Sequence, residues 1–428
     1  MASTSGAARL LLAASATRRA TRHVRRRAND VVCGGLEQPP ARPGEPVPWL
    51  KDATTYSDTH TVVLDPNTKL PYAEKELSDM MGRSADEAVK EHYKKLYSKR
   101  RVVSEISFDH IPIEKQIFLL FPGQGSQFVG MGKKVAECKP ARALFTRASE
   151  LLGYDLFVLC TSGLKTTLDQ TLYCQPAVMV ASLAAFEAFK EKEPAAVDNC
   201  THAAGFSVGE YSALVAAGVL HFDDAVRIVA ERARAMHDAS QLIRSGMLTV
   251  QVRAASRLDD AMRLAREKAM ELGEFAVCEV ASLLYCGVKV VGASETCMQF
   301  LEENANTFHY TVVKRLAVSG AFHTRQMESA AERLAEAFKD VEMHRPVMNV
   351  YSNFTGQVHS AKKSHLRGSL VRQLTNPVKW EQIQQLLYRK HQNFVFPRFI
   401  EVGPGRQLGA MFRPVSKKAF ERYESFPS

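Results

Sequence analysis

Thr201-His-Ala-Ala-Gly205-Phe-Ser207-Val-Gly209-Glu-Tyr-Ser-Ala-Leu-Val215 decides the architecture of this chain. Small residues precede its G-x-S-x-G core and a helical pattern follows it. That order predicts a strand, a sharp turn carrying Ser207, and a helix, the arrangement of a nucleophile elbow. The spacing has a chemical reason. A tight strand-to-helix turn holds the serine in a strained conformation with its hydroxyl exposed, and Gly205 and Gly209 relieve crowding on either side. The helix starting near Val208 directs free amides and its positive dipole end at the serine oxygen. The Val208 amide is then a donor for an oxyanion. G-x-S-x-G is short and also arises by chance, so its surroundings have to decide.

Working outward, Ile117-Phe-Leu-Leu-Phe121 is a continuous apolar run of strand length, which predicts a strand buried on both faces. It ends in Pro122-Gly-Gln-Gly-Ser-Gln127, where glycines allow backbone amides to face a ligand. Neither the Walker nor the dinucleotide spacing is present. Gln124 and Gln127 are unusual as neutral donors in a loop where glycine would suffice.

A serine hydroxyl needs a positioned base, most often histidine. Of the thirteen histidines, His23, His60, His92 and His110 precede the core, and the neighbours of His202 and His221 suggest a strand and a loop. His323 follows an apolar, strand-like run, Leu316-Ala-Val-Ser-Gly-Ala-Phe322, and precedes an amphipathic helix expected over 326–339. A strand-to-helix junction places a histidine well for a cleft.

The whole chain has 428 residues, of which 46% are hydrophobic and 24% charged, enough for a sizeable core. No apolar run approaches the roughly 18 residues that span a bilayer, so no integral membrane protein is expected. The eight cysteines are scattered with no C-x-x-C pair, which argues against a zinc module or disulfide scaffold; no metal site is expected. The net charge of +10 is uneven: residues 1–28 hold seven arginines and no acid, leaving +3 to the rest. Nucleic-acid binding therefore loses its support. The same 28 residues, rich in Ser, Thr, Ala and Arg, read as a mitochondrial transit peptide. Residues 38–49 carry five prolines and predict an extended segment. Residues 84–97 read as a helix, with Ser84 and Glu87 at capping-box spacing and a cationic end.

Five segments together resemble a known family. Phe121-Pro-Gly-Gln-Gly-Ser-Gln127, Gly205-Phe-Ser-Val-Gly-Glu-Tyr-Ser-Ala-Leu214, Glu231-Arg-Ala-Arg-Ala-Met236, Ala321-Phe-His323 and Glu401-Val-Gly-Pro-Gly405 occur in the order found in malonyl-CoA:acyl carrier protein transacylases, here in a mitochondrial form. The resemblance covers residues 115–415. It implies an α/β fold: an α/β-hydrolase-like large subdomain, 113–245 and 318–428, with an inserted ferredoxin-like small subdomain, 246–317. Residues 1–28 would be the transit peptide and 29–112 an N-terminal extension. The insert has matching periodicity, with strands near 246–252, 275–281, 288–292 and 310–316 and helices near 257–272 and 295–304.

Residue by residue, the resemblance makes Ser207 the acyl-accepting nucleophile and His323 its base. The backbone of Gln124 and the amide of Val208 would form the oxyanion hole. Gln175 would line the pocket, and the carbonyl of Gln373 would orient the histidine in place of a carboxylate. Arg232 would hold the free carboxylate of a malonyl group and penalise neutral acyl groups. Read without the resemblance, Arg232 is a solvated helix arginine like Arg227 and Arg234. The implied activity is malonyl transfer from malonyl-CoA to the phosphopantetheine thiol of mitochondrial acyl carrier protein, in the mitochondrial matrix. Coenzyme A thioester is a substrate, and no cofactor is implied.

Two departures stand out. Phe206 replaces the family's usual histidine before the serine, which reshapes the pocket wall. Ala281-Ser-Leu-Leu-Tyr-Cys-Gly287 replaces an asparagine-rich turn of bacterial members. Two other classes remain open: a serine thioesterase or hydrolase sharing the elbow, and an interaction protein using the basic N-terminal extension.

Overall fold

The computed structural model describes residues 105–389 and 395–428. The arginine-rich start, the proline-rich segment and the helix expected over 84–97 lie outside those residues. Ten strands are described: β1 (Ile117–Phe121), β2 (Cys200–Gly205), β3 (Ser245–Gln251), β4 (Cys278–Tyr285), β5 (Val288–Ser294), β6 (Thr311–Arg315), β7 (Asn349–Tyr351), β8 (Val378–Lys379), β9 (Arg398–Val402) and β10 (Tyr423–Phe426). The helices that place the site are α1 (Thr171–Lys192), α2 (Gly209–Ala216), α3 (Phe222–Gln241), α4 (Leu258–Glu271), α5 (Glu295–Glu303), α6 (Glu328–Ala337), α7 (Lys363–Arg372), α8 (Trp380–Arg389) and α9 (Gln407–Val415).

The first sheet runs β10-β9-β1-β2-β7, and its strand pairs are parallel. Its central strand β1 is buried along its whole length. Ile117, Leu119 and Phe121 point into one apolar core shared with α1 and α3, while Phe118 and Leu120 join Trp380, Ile383, Phe399 and Phe412 on the opposite face. The unbroken apolar run in the sequence thus reflects two cores served by alternate residues.

The second sheet runs β6-β3-β5-β4-β8. Chain order β3-α4-β4-β5-α5-β6, with antiparallel pairs β3·β5, β3·β6 and β4·β5, gives the ferredoxin-like pattern expected of the insert. Its own core lies under α4 and α5, around Leu248, Val250, Ala261, Cys297 and Leu301. A fifth strand was not expected: β8, from the C-terminal part of the chain, pairs in parallel with β4. Most of the stretch 281–287 is strand. Only Cys286 and Gly287, with φ of 40° and 79°, make the turn between β4 and β5, as a two-residue hairpin of primed type requires.

Three expectations need correction. Residues 316–322 are not a strand: after Leu316 N donates to Met247 O the pairing stops, and Gly320 presses against Ser240 where an added Cβ would lie 2.6 Å away. The helix expected over 326–339 is a 3-10 turn, Arg325–Met327, followed by α6. Finally, α1 has 22 residues and contains an 18-residue stretch with a mean hydropathy of 1.4, so by length and composition it could cross a membrane. It is instead the helix packed on β1 in the main core, with Cys174 to Phe186 buried. Of the seven cysteines in the described residues, Cys286 is exposed and Cys138 half-buried, the rest buried; all are free.

The elbow tolerates nothing larger than glycine at two points. A Cβ on Gly205 would lie 1.9 Å from the Gly209 carbonyl oxygen, and one on Gly209 2.3 Å from that of Phe121. Gly205→Ala is therefore expected to destabilise the fold by about 3 kcal/mol or more. Gly368→Ala, in α7 with open space around the site, should stabilise by about 0.5–1 kcal/mol. Urea unfolding of the two variants checks both signs.

Candidate active site

Ser207 sits between β2 and α2 with φ of 53°, in the left-handed region that costs a side-chain-bearing residue about 1–2 kcal/mol. Two neighbours hold it there. Its amide donates to Asn353 Oδ1 at 2.6 Å, and Asn353 Nδ2 donates to Gly205 O at 2.7 Å. The glycine loop after β1 leans on the same turn, since a Cβ on Gly123 would meet Phe206 O at 2.4 Å. Phe206 packs edge-on against Trp380, 5.5 Å between ring centres, and so forms part of the wall beside the serine. Val208 is the N-cap position of α2. Its amide is one of those that a helix start leaves unpaired by its own turn.

His323 arrives from the far side of the small subdomain in the chain, also with positive φ, 61°. Its Nε2 lies 2.9 Å from Ser207 Oγ and its Nδ1 2.7 Å from the Gln373 carbonyl oxygen. A carbonyl only accepts, so Nδ1 carries the proton and Nε2 is left to accept from the serine. Burial, and then the charge of Arg232, push the imidazole down from 6.5 to about 4, against the opposing pull of the Gln373 carbonyl. At neutral pH His323 is an uncharged base.

Arg232 is fully buried on α3. Its Nη2 donates to Ser207 Oγ at 3.0 Å and to Gln373 Oε1 at 2.9 Å, and Nη1 donates to Gln175 Oε1. Its Nε has no protein partner. The guanidinium also stands 5.6 Å from the centre of the Tyr211 ring. Arg227 and Arg234, by contrast, point to solvent and pair with Asp224 and Glu231 of their own helix. The solvated reading suits them and not Arg232.

Gln124 and Gln175 complete a polar row. Gln124 Nε2 donates to Thr171 Oγ1 at 3.1 Å, and Gln175 Nε2 donates to Gln124 Oε1 at 3.4 Å. Gln127 instead pins the loop, its Oε1 accepting from Gly125 N at 2.7 Å and its Nε2 donating to Asp169 Oδ1 at 2.9 Å. Glu401 likewise serves the fold. It is buried, accepts from the amides of Leu408 and Gly409 at 3.1 and 2.9 Å, and so caps α9. His202 packs in the core with its ring tilted against Phe118, 4.1 Å between ring centres, and His221 lies against His344.

Ser207, His323, Arg232, Gln124, Gln175, Gln373 and Val208 thus all come to one place, although they are scattered over some 250 residues of sequence. Sequence reading missed Asn353 and a buried pair behind the site, Glu210 and His359. Glu210 Oε2 accepts from Asn353 N at 3.1 Å and Gln373 Nε2 at 2.6 Å, and Glu210 Oε1 accepts from His359 Nε2 at 2.6 Å. Glu210 lies in the elbow segment, where an acid in a first helical turn passes for an ordinary dipole partner. Nothing near Asn353 or His359 in sequence announces them. Among the described residues, no three His, Cys, Asp or Glu side chains are grouped as a metal site.

Comparison with known proteins agrees with this arrangement. Residues 118–418 match the family model described as an acyl transferase domain. The chain is 43% identical over 311 residues to the human mitochondrial malonyl-CoA-acyl carrier protein transacylase, covering 72% of this chain and 79% of the relative. It is 34% identical to the malonyl CoA-acyl carrier protein transacylase of Bacillus subtilis, covering 71% and 91%. Among solved structures, the Clostridium perfringens malonyl CoA-acyl carrier protein transacylase is similar with a TM-score of 0.63 at 25% identity, covering 72% of this chain and 92% of that one. A malonyl-transacylase solved in complex with its type II PKS acyl-carrier protein gives a TM-score of 0.63 at 28% identity, covering 72% and 94%. With its serine, histidine and buried arginine assembled on this fold, the chain belongs to the malonyl-CoA:acyl carrier protein transacylases within the acyl transferase domain family.

Proposed function

We propose that this mitochondrial chain moves the malonyl group of malonyl-CoA to the phosphopantetheine thiol of acyl carrier protein by way of an ester on Ser207, in the matrix, as part of fatty acid synthesis. The observation that carries the reading is Arg232, a buried guanidinium whose Nη2 is 3.0 Å from Ser207 Oγ. A three-carbon diacid half-ester on Oγ brings its free carboxylate within reach of that group, and acetyl offers nothing in its place.

The steps follow from the geometry. His323 Nε2 takes the Ser207 proton as Oγ bonds to the thioester carbon. The carbonyl oxygen becomes an oxyanion, held by the Val208 amide at the start of α2 and the Gln124 backbone; the Ser207 amide is already committed to Asn353. The carbon–sulfur bond then breaks, and His323 returns its proton to the coenzyme A sulfur. The carrier thiol enters, gives its proton to His323 and attacks the ester carbon; the carbon–Oγ bond then breaks and His323 Nε2, 2.9 Å from Oγ, returns the proton to Ser207. Every proton and charge in this sequence is assigned to side chains, the backbone or the two thiols, so the reading needs no cofactor; coenzyme A enters as substrate. The N-terminal residues 1–28 fit a transit peptide, and 113–245 with 318–428 and 246–317 are the two subdomains that this reading assigns.

Brief mixing with malonyl-CoA should place a malonyl adduct on the Ser207 peptide, discharged by carrier thiol, and Ser207→Ala should give none by mass spectrometry. Free malonate without an adduct would point to the thioesterase reading instead. Arg232→Ala should lower kcat/KM for malonyl-CoA by about 10²-fold or more, the worth of lost charge-assisted hydrogen bonds, and lower acetyl-CoA use far less. A uniform loss would indicate damage to the fold. Because His323 must be neutral to act, the acid limb of kcat/KM should fall well below the ordinary 6.5, toward about 4. Removing the guanidinium takes away one of the two influences that depress it. With acetyl-CoA as the substrate, which has no carboxylate of its own to titrate, the limb of Arg232→Ala should therefore move to higher pH.

A further inference from the structure

We propose that Glu210 is a positioning residue for acyl selectivity, acting on Arg232 through the side chain of Gln373. The inference rests on the reading of Arg232 as the group that holds the acyl carboxylate. Glu210 is fully buried in the first turn of α2, three residues beyond Ser207. It accepts three hydrogen bonds, from His359 Nε2, the Asn353 amide and Gln373 Nε2. An ionised carboxylate has no proton to donate, so a side-chain amide beside it must present its NH2. Gln373 does so, giving Nε2 to Glu210 Oε2 at 2.6 Å and to Ser207 O at 3.1 Å. That choice turns Gln373 Oε1 toward Arg232 Nη2, 2.9 Å away. Flipped, the amide would set its NH2 against a guanidinium and its oxygen against a carboxylate and a carbonyl. Glu210 thereby decides that Arg232 meets an acceptor.

The relay also separates two requirements that conflict in a simple ion pair. A buried guanidinium needs a negative charge near it. A carboxylate in direct contact would occupy the fork that an acyl carboxylate has to enter. The acids of the described residues make no hydrogen bond to Arg232; its partners are Gln175, Gln373 and Ser207. Glu210 supplies the charge from one amide away. The fork is steadied but not filled.

Glu210→Gln keeps the volume and removes the charge. The ratio of kcat/KM for malonyl-CoA over acetyl-CoA is expected to fall at least tenfold, with acetyl use changed by less than about threefold, the small change expected of a residue that touches neither substrate. In a Gln373→Ala background the same substitution should leave the ratio unchanged, because the path is gone; residues acting through one network are not additive. An unaltered ratio in the single variant, equal losses for both substrates, or the same loss with and without Gln373 would each overturn the proposal. Arg232→Ala, measured alongside, separates the two readings. If it leaves the ratio intact, the assignment of Arg232 fails; if it collapses the ratio while Glu210→Gln does not, this inference alone fails.

Discussion

The left-handed backbone at Ser207 is the constraint around which the rest of the core is arranged. A residue with a side chain reaches φ of 53° only where its surroundings over-determine it. Here they do. Gly205 lets β2 and α2, and Gly209 lets α2 and the end of β1, approach to a distance that no Cβ fits, and Asn353 ties the serine amide and the Gly205 carbonyl together. The loop after β1 closes against Phe206 through Gly123. Strand, helix and two loops thus converge on one peptide, and each of them then presents a polar group to the same small volume. His323 repeats the device with φ of 61°. Two strained residues facing each other at 2.9 Å are what a positioned reacting pair requires.

Electrostatics impose the second layer of order. Arg232 is wholly buried, and burial lowers its affinity for a proton while its charge depresses His323. A carboxylate behind His323, as hydrolases with a Ser-His-acid triad have, would lie in the same pocket and draw the guanidinium toward itself. The Gln373 carbonyl instead fixes the imidazole without adding a charge. The same residue, by its side chain, links Arg232 to Glu210. One glutamine therefore sets the direction of the base and of the guanidinium, from opposite ends of its own structure.

What could be read in the sequence was what is local. The alternation hidden in Ile117–Phe121, the glycines around Ser207 and the strand-helix rhythm of 245–315 each leave their mark within a few residues, and the fold class follows from them. Arg232 was legible only through the order of several segments, since its own helix carries two solvated arginines nearby. Asn353, Glu210 and His359 were not legible as a group, because hydrogen bonds spanning more than 140 residues of chain leave no periodicity. The same holds for β8, whose two residues gain their strand character only from the edge of β4. Helix α1 misled in the opposite way. A helix surrounded by core on all sides has the composition of a membrane span, and only its packing distinguishes the two.

The depressed basicity of His323 bears on how an ester on Ser207 lasts in water until a thiol arrives. A base with an affinity for protons near pH 4 is a poor match for water, whose own pKa is about 15.7, but a closer match for a thiol near 8.5. The gap to water exceeds the gap to thiol by roughly seven units, and general-base assistance weakens as that gap grows. Arg232 weakens the base toward water and thiol alike, since the charge that would hold an acyl carboxylate also lowers the imidazole; the thiol, closer to its own ionisation, needs that help less. Selectivity for the acyl group and slow base-assisted attack of water on a waiting ester would then both draw on one guanidinium. This coupling also explains the cost of keeping it buried: moving Arg232 outward to solvent would ease its desolvation, but it would restore the histidine toward an ordinary base and release the carboxylate-binding fork together.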